Sequence, residues 1–195
     1  MNKLFTLLFF LVLGVNPSFA QIDIGLKFGL NVSNVSSSNE EDFTNLVDFN
    51  SGVVVRFKMA DKFLLNTEVL SSNKGFNSLL TPGGTTSNKL TYLSFPVLLQ
   101  YYATDKIYFQ LGPELNFLTK AKIKNSTIDS LVTGDYNTFD FSLAGGVGVT
   151  IFKVLNLETR YSLGFSQIKK EENTFGSYKN RTFQISLIYF LISKE

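Results

Sequence analysis

Residues 22–31 read IDIGLKFGLN, in which an apolar residue alternates with a polar or small one at every step. A β-strand has this period of two, because its successive side chains point to opposite faces. The stretch therefore predicts a strand with one apolar face and one polar face.

The same alternation recurs along the rest of the chain, and no amphipathic helical pattern competes with it. About eight strands are predicted. Their lengths are close to the roughly 9–11 residues that a tilted membrane strand needs. Besides the first, they lie at residues 52–58, 65–70, 92–101, 109–117, 140–151, 155–163 and 182–189.

The predicted connections alternate between short and long. Short ones fall at residues 60–62, 103–106 and 153–154, and long polar ones at 32–50, 73–89, 119–138 and 167–179. In an up-and-down barrel, alternate connections lie at opposite ends. The pattern therefore places short turns at one end of the barrel and long loops at the other. Outer-membrane barrels have this layout, with short periplasmic turns and longer extracellular loops.

The placement of charge indicates which face is inside. A soluble barrel has an apolar interior, whereas a membrane barrel turns its apolar face to lipid. The charges in the strand cores all share the polar face, and a charge facing the middle of the lipid would cost roughly 2–4 kcal/mol. We therefore predict an all-β, eight-stranded antiparallel up-and-down transmembrane β-barrel, closed by pairing of the first and last strands.

Near-balance of the charges in the predicted lumen suggests internal ion pairs that plug the barrel. A pair between Glu68 and Arg160 is one candidate, and Asp23 adds a further acidic group. The predicted lumen ion-pair network comprises Lys27, Arg56, Lys58, Glu68, Glu114, Asp140, Glu158 and Arg160.

Aromatic residues gather near the predicted strand ends, where two girdles at the membrane interfaces are expected. At the short-turn end they are Tyr101, Tyr102, Tyr108, Tyr189 and Phe190. At the loop end they are Phe76, Tyr92, Phe117, Tyr136, Phe139, Phe165 and Tyr178.

Composition argues against most enzymatic and nucleic-acid functions. The chain has 18 basic and 16 acidic residues, no cysteine and no histidine. The small net charge gives no basis for nucleic-acid binding, and the missing side chains exclude thiolate and histidine catalysis and ligation. No enzyme activity, cofactor or metal site is expected.

The N-terminus has the organisation of a secretory signal peptide. Lys3 precedes an apolar run at residues 4–15, which is followed by Pro17 and a Ser-Phe-Ala sequence ending at Ala20. The run is shorter than the ~20 residues of a spanning helix. We predict cleavage after residue 20 and a mature barrel domain of residues 21–195.

Several stretches resemble the PorT-type outer-membrane β-barrel family. The carrying residues are 25–33 (GLKFGLNVS), 92–101 (YLSFPVLLQY) and 160–164 (RYSLG), with Ser94 and Gln100 replacing the family's usual acidic residue and lysine. The resemblance implies a location in the cell outer membrane and an eight-stranded barrel. The founding member of the family acts in protein secretion.

These observations predict an integral outer-membrane protein with a largely plugged lumen and a structural or interaction role. Expected partners are outer-membrane lipid, the barrel-insertion machinery during biogenesis, and proteins at the extracellular loops of a monomer. Alternatives are a narrow porin for small solutes, a membrane component of a secretion apparatus, and a lipid-modifying enzyme, the last weakened by the absence of histidine.

We expect the protein purified from membranes to begin at Gln21. Signal peptidase requires small residues at the positions of Ser18 and Ala20, so a Ser18→Leu/Ala20→Leu variant should keep its leader. Intact-mass spectrometry of both proteins tests this, and a wild-type mass that includes residues 1–20 would contradict it.

Overall fold

The computed structural model describes residues 21–36, 43–80, 84–125, 129–170 and 178–192. The predicted signal peptide, residues 1–20, lies outside the described residues, and the domain boundary at residue 21 stays a prediction.

Nine strands and one short 3₁₀ turn, Thr133–Asp135, make up the described part of the chain. The strands are β1 (Ile22–Ser36), β2 (Phe43–Ala60), β3 (Phe63–Leu80), β4 (Gly84–Tyr102), β5 (Ile107–Lys124), β6 (Asp129–Leu131), β7 (Phe139–Phe152), β8 (Leu155–Gly164) and β9 (Lys179–Ile192). No helix within these ranges is long and apolar enough to cross a membrane.

Eight of the described strands form a closed antiparallel ring, which confirms the predicted fold. Each pairs with its neighbours along the chain, β5 pairs with β7, and β1 pairs with β9 to close the ring. Leu30 of β1, for example, lies between Phe49 of β2 and Ile185 of β9. The short strand β6 pairs only with the end of β5, at Lys122–Lys124.

The short turns agree with the prediction. β2 ends at Ala60 and β3 begins at Phe63, and the other two turns span residues 103–106 and 153–154. Both ends of the described barrel, Ile22 and Ile192, lie at this same end. We expect this end to face the periplasm, as the short turns of outer-membrane barrels do, and we call it the periplasmic end.

The predicted boundaries of the first three long loops, 32–50, 73–89 and 119–138, were wrong, because many of those residues extend the strands, whereas the predicted loop at 167–179 does lie between the end of β8 at Gly164 and the start of β9 at Lys179. β1 continues to Ser36, β3 to Leu80 and β5 to Lys124. Beyond the lipid the outer face of a strand meets water, so polar side chains are no longer confined to the inner face and the hydropathy alternation fades. The backbone still gains from ladder hydrogen bonds there, and pairing therefore outlasts the sequence pattern.

The two faces of the barrel have the predicted chemistry. Phe28 and Leu111, on the outer face, are 60% and 59% exposed, whereas Lys27 and Gln100, on the inner face, are fully buried. The outer aromatic girdle near the loop end includes Phe95, Phe117 and Phe139. The ring centroid of Phe117 lies 5.9 Å from that of Phe95 and 5.5 Å from that of Phe139.

A matched pair of lysine substitutions tests the facing. Val97→Lys should prevent assembly, because it places a charge on the lipid side at a cost of roughly 2–4 kcal/mol. Gln100→Lys should be tolerated, because its side chain lies inside and contacts Gln110, itself bonded to Glu158. Heat-modifiable gel migration reports folding, and equal behaviour of the two variants would contradict the assignment.

Candidate functional site: the barrel interior

Four charged residues from three strands meet in the middle of the barrel. Lys27 comes from β1, Glu68 from β3, and Glu158 and Arg160 from β8. In the register, Lys27 lies opposite Gly52 and Arg160 opposite Gly146. Each long cation therefore has a cross-strand neighbour without a side chain, which leaves room for it to reach across the lumen.

The four side chains form one closely bonded cluster. Arg160 holds Glu68 through two bonds, Nη1 to Oε2 at 2.9 Å and Nη2 to Oε1 at 2.6 Å, and also reaches Glu158 Oε1 at 2.9 Å. Lys27 Nζ lies 3.1 Å from Glu68 Oε2 and bonds Glu158 as well. Two cations thus face two carboxylates, and the cluster carries no net charge.

Neutral side chains complete the hydrogen bonding of the two carboxylates. Asn66 Nδ2 donates to Glu68 at 2.7 Å, and Gln110 Nε2 donates to Glu158 at 3.0 Å. Removing ions from water is costly unless they are paired and their remaining lone pairs are bonded. The two carboxylates meet both conditions, whereas Arg160 Nε has no hydrogen-bond partner among the described residues.

A second polar layer lies nearer the loop end. Lys74 Nζ donates to Glu114 Oε1 at 2.6 Å and to Asn116 Oδ1 at 3.0 Å. Ser162 Oγ donates to the other oxygen of Glu114 at 3.2 Å. Glu114 is therefore ion-paired, but with a lysine that the sequence analysis had not assigned to the lumen.

Lys74 was missed because the predicted strand ended at residue 70. The predicted long loop begins at residue 73 and therefore included Lys74. Parity alone could have identified it, since Lys74 is six residues after Glu68 and both point inward.

Asp140 lies apart from the central cluster. Its Oδ2 accepts a hydrogen bond of 2.8 Å from Asn180 Nδ2, and Asn180 also donates to the Tyr92 hydroxyl at 3.3 Å. Asp140 is buried near the loop end, where an amide rather than a cation is its hydrogen-bond donor. Its expected place in an ion-pair network therefore needs correction.

Two of the predicted network residues lie near the periplasmic end. Arg56 is buried there, with Nη2 3.0 Å from Asp23 Oδ2 and its guanidinium over the ring of Phe190. Lys58 is exposed, and its Nζ lies 3.9 Å from Asp61 at the adjoining turn. Its assignment to the interior was wrong, because the strand has already passed the end of the barrel there.

Apolar residues fill the interior at the loop end. We call the following set the mouth cluster: Val35, Phe76, Leu90, Tyr92, Leu118, Ala121, Tyr136, Ile168 and Tyr178. Burial raises the pKa of Tyr136 to about 12, with Asp135 adding to the effect, so its hydroxyl stays protonated at neutral pH.

The mouth cluster corrects the aromatic girdle at the loop end. Phe76, Tyr92, Tyr136 and Tyr178 were expected at the lipid interface, but all four are buried inside. At the other end, Tyr108 and Phe190 are likewise buried. Position along a strand identified the right depth for these residues, but it did not identify their face.

The described side chains of the lumen form no evident metal-binding site. Within the described ranges, no group of three or more histidine, cysteine, aspartate or glutamate residues could hold a metal ion. The acidic residues of the central cluster are instead engaged by Lys27 and Arg160. The geometry is suited to holding strands together across the lumen.

Comparison with known protein families identifies the kind of barrel. Residues 17–170 match the family described as outer membrane protein beta-barrel domain, which is most of the chain. The chain belongs to this family. It is an integral protein of the outer membrane, in agreement with the predicted location.

Solved structures of low sequence identity share the fold. The chain is similar to Neisserial surface protein A at 11% identity and a TM-score of 0.57, covering 85% of this chain and 96% of that one. It is similar to the attachment invasion locus protein Ail of Yersinia pestis at 12% identity and a TM-score of 0.54, covering 88% of this chain and 99% of that one. It is also similar to OprG of Pseudomonas aeruginosa at 15% identity and a TM-score of 0.53, covering 88% of this chain and 93% of that one. No curated protein matches the chain.

Removing Arg160 tests the energetic role of the central cluster. Arg160→Met should lower the free energy of unfolding by about 3–5 kcal/mol, because it leaves a buried carboxylate short of a partner. The charge-neutral variant Glu68→Gln/Arg160→Met should lose less. Denaturant titration of the folded fraction on gels measures both.

Arg181→Met is the matched control, because Arg181 is exposed on the outer face of β9. It should change the unfolding free energy by no more than about 0.5 kcal/mol. A double variant as unstable as Arg160→Met would show that the charge imbalance is not the cause of the loss.

Proposed function

We propose that this protein is a non-conducting outer-membrane barrel whose lumen is closed by its own side chains and whose extracellular end acts in interactions. The observation that supports it is the neutral cluster of Lys27, Glu68, Glu158 and Arg160, whose side chains are at most 1% exposed. An eight-stranded barrel has an interior that side chains can just fill. Long cations reaching across it leave little space for solutes.

The mouth cluster supports the same proposal from the loop end. Tyr136 follows β6 and the 3₁₀ turn, and Ile168 follows β8, yet both are buried among barrel residues such as Leu90. Lys169 Nζ lies 4.5 Å from the ring of Tyr178, at the edge of this cluster. A solute entering from outside would meet an apolar layer before it met the ion pairs.

The extracellular end is the part available for partners. The hairpins β1–β2, β3–β4 and the β5–β6 region extend well beyond the outer aromatic girdle. We expect a monomer that presents these hairpins to other proteins, with the insertion machinery as a partner during biogenesis. The narrower relationship to PorT-type proteins, with its link to secretion, stays a prediction based on sequence resemblance.

Planar-bilayer recording tests the closed lumen. The wild-type protein should give no steady single-channel conductance, since the ion pairs obstruct the lumen. Glu68→Ser/Arg160→Ser should conduct, because it removes an anion and a cation from the middle of the barrel without changing the net charge.

The control for this experiment is Lys58→Ser/Asp61→Ser. It also removes one ion pair, but the pair lies exposed at the periplasmic turn. It should remain as silent as the wild type. Steady conductance from the wild-type protein would contradict the closed lumen and would favour the alternative function, a narrow porin.

A further inference from the structure

Asp140 is a buried carboxyl group of the barrel interior that has no cationic partner among the described residues. The interior ion pairs engage the side chains of Asp23, Glu68, Glu114 and Glu158. Asp140 is 1% exposed, and none of the described lysines or arginines forms an ion pair with it. Between residues 21 and 192, the segments outside the described ranges contain no lysine or arginine. That part of the chain therefore offers Asp140 no further cation.

An amide supplies the hydrogen bond that the Asp140 side chain accepts. Asn180 Nδ2 donates to Asp140 Oδ2 at 2.8 Å. The other oxygen of each group, Asp140 Oδ1 and Asn180 Oδ1, is buried and has no hydrogen-bond partner among the described residues. Buried polar side-chain atoms in folded proteins are in large majority hydrogen-bonded, so these two oxygens require an explanation.

A proton on Asp140 would satisfy both oxygens at once. An amide oxygen and an ionised carboxylate oxygen are both acceptors and cannot bond each other, whereas a protonated carboxyl group also has an O–H donor. A protonated Asp140 Oδ1 can donate to Asn180 Oδ1 while Oδ2 keeps its bond from Nδ2. The two side chains then form a cyclic pair with two hydrogen bonds.

The neighbouring groups do not compensate an ionised Asp140. Lys74 of β3 and Glu114 of β5 both act on it electrostatically, but their Nζ and Oε1 atoms are 2.6 Å apart and the two together carry no net charge. The other titratable groups on this side are the neutral hydroxyls of Tyr92 on β4 and Tyr136 after the 3₁₀ turn. Burying a carboxylate without a counter-charge is costly, and in practice such a group becomes neutral instead.

The same amide connects Asp140 to the mouth cluster. Asn180 Nδ2 also donates to the hydroxyl of Tyr92 at 3.3 Å, and Tyr92 belongs to that cluster. Two further members, Ile168 and Tyr178, are joined by a backbone bond of 3.0 Å from the N–H of Ile168 to the carbonyl of Tyr178. An ionised Asp140 would therefore place an uncompensated charge beside this apolar layer.

We propose that Asp140 carries a proton at neutral pH, which it donates in a hydrogen bond to Asn180 Oδ1, and that loss of this proton to water in alkaline conditions loosens the mouth cluster. The extracellular end of the barrel is then a pH-sensitive closure. This inference does not depend on whether the lumen conducts.

The test compares two variants that each neutralise one buried carboxyl group. Asp140→Asn puts an amide where we place a neutral carboxyl, and two amides can make the same two hydrogen bonds. Glu158→Gln is the control, because it leaves Lys27 and Arg160 with one carboxylate fewer. Denaturant titrations on gels measure the folding equilibrium from about pH 5 to about pH 9, a range in which an ordinary aspartate is ionised.

The wild type should lose stability relative to Asp140→Asn as the pH rises. In the unfolded chain Asp140 is ionised above about pH 4, so the folded state binds one proton more than the unfolded state. The folding constant should therefore fall by up to about tenfold per pH unit, until the folded protein releases that proton. Asp140→Asn should lack this dependence and be at least as stable as the wild type at neutral pH. Glu158→Gln should be less stable than the wild type but keep its pH dependence.

Two further measurements follow the proton and the mouth separately. At neutral pH the infrared spectrum of the wild type should contain the C=O band of a protonated carboxyl group, and the spectrum of Asp140→Asn should lack it. In alkaline conditions the Ile168 amide of the wild type should lose protection from hydrogen exchange, after correction for the intrinsic exchange rate. The same amide of Asp140→Asn should stay protected.

Three results would overturn the proposal. One is the absence of a protonated-carboxyl band from the wild type at neutral pH, and another is the same pH dependence of stability in the wild type and Asp140→Asn. The third is full protection of the Ile168 amide after that band has disappeared, which would separate the proton from the closure of the mouth. The wild-type measurements decide the matter even if a variant does not fold.

Discussion

Lipid offers no hydrogen bonds to a peptide group, and this constraint accounts for the architecture of the protein. Every N–H and C=O in the membrane must find a partner within the protein, so a sheet there has to close on itself. The pairing of β1 with β9 meets this requirement. Once the ring is closed, each strand has one face in lipid and one in a narrow enclosed space, and the two faces come under opposite chemical demands.

In the interior, buried charged side chains are stabilised by pairing with side chains of opposite charge. Lipid excludes ionised groups from the outer wall, so the charged residues of the strands are directed inward. There they lose their water and need partners, which Lys27, Glu68, Glu158 and Arg160 supply to one another. The result is a barrel held together across its lumen as well as around its circumference. The cross-lumen ties and the resistance to solute entry that we propose have the same origin.

Above the lipid, the constraints on the outer wall change. Water replaces lipid, and the strands continue as paired hairpins without a hydropathy pattern. Apolar side chains then have to turn inward, as Phe76 and Tyr136 do, and cations can turn outward, as Lys120 does after the bulge at Thr119. The mouth cluster and the outward-facing Lys120 are two consequences of this change of solvent, one on each side of the same wall.

The amino-acid sequence was sufficient for the strand count, the facing of residues in the membrane and the family resemblance, because lipid imposes a strict period of two there. It also indicated that Glu68 and Arg160 share the interior. It failed for Lys58, Lys74 and the aromatic residues at the loop end, because they lie near the ends of strands, and the hydropathy pattern does not show how far a strand or the barrel interior extends. Partner choice within the lumen depends on how strands far apart in the chain are staggered around the ring. Glu68 and Arg160 are brought together in this way, and only the tertiary structure specifies that stagger.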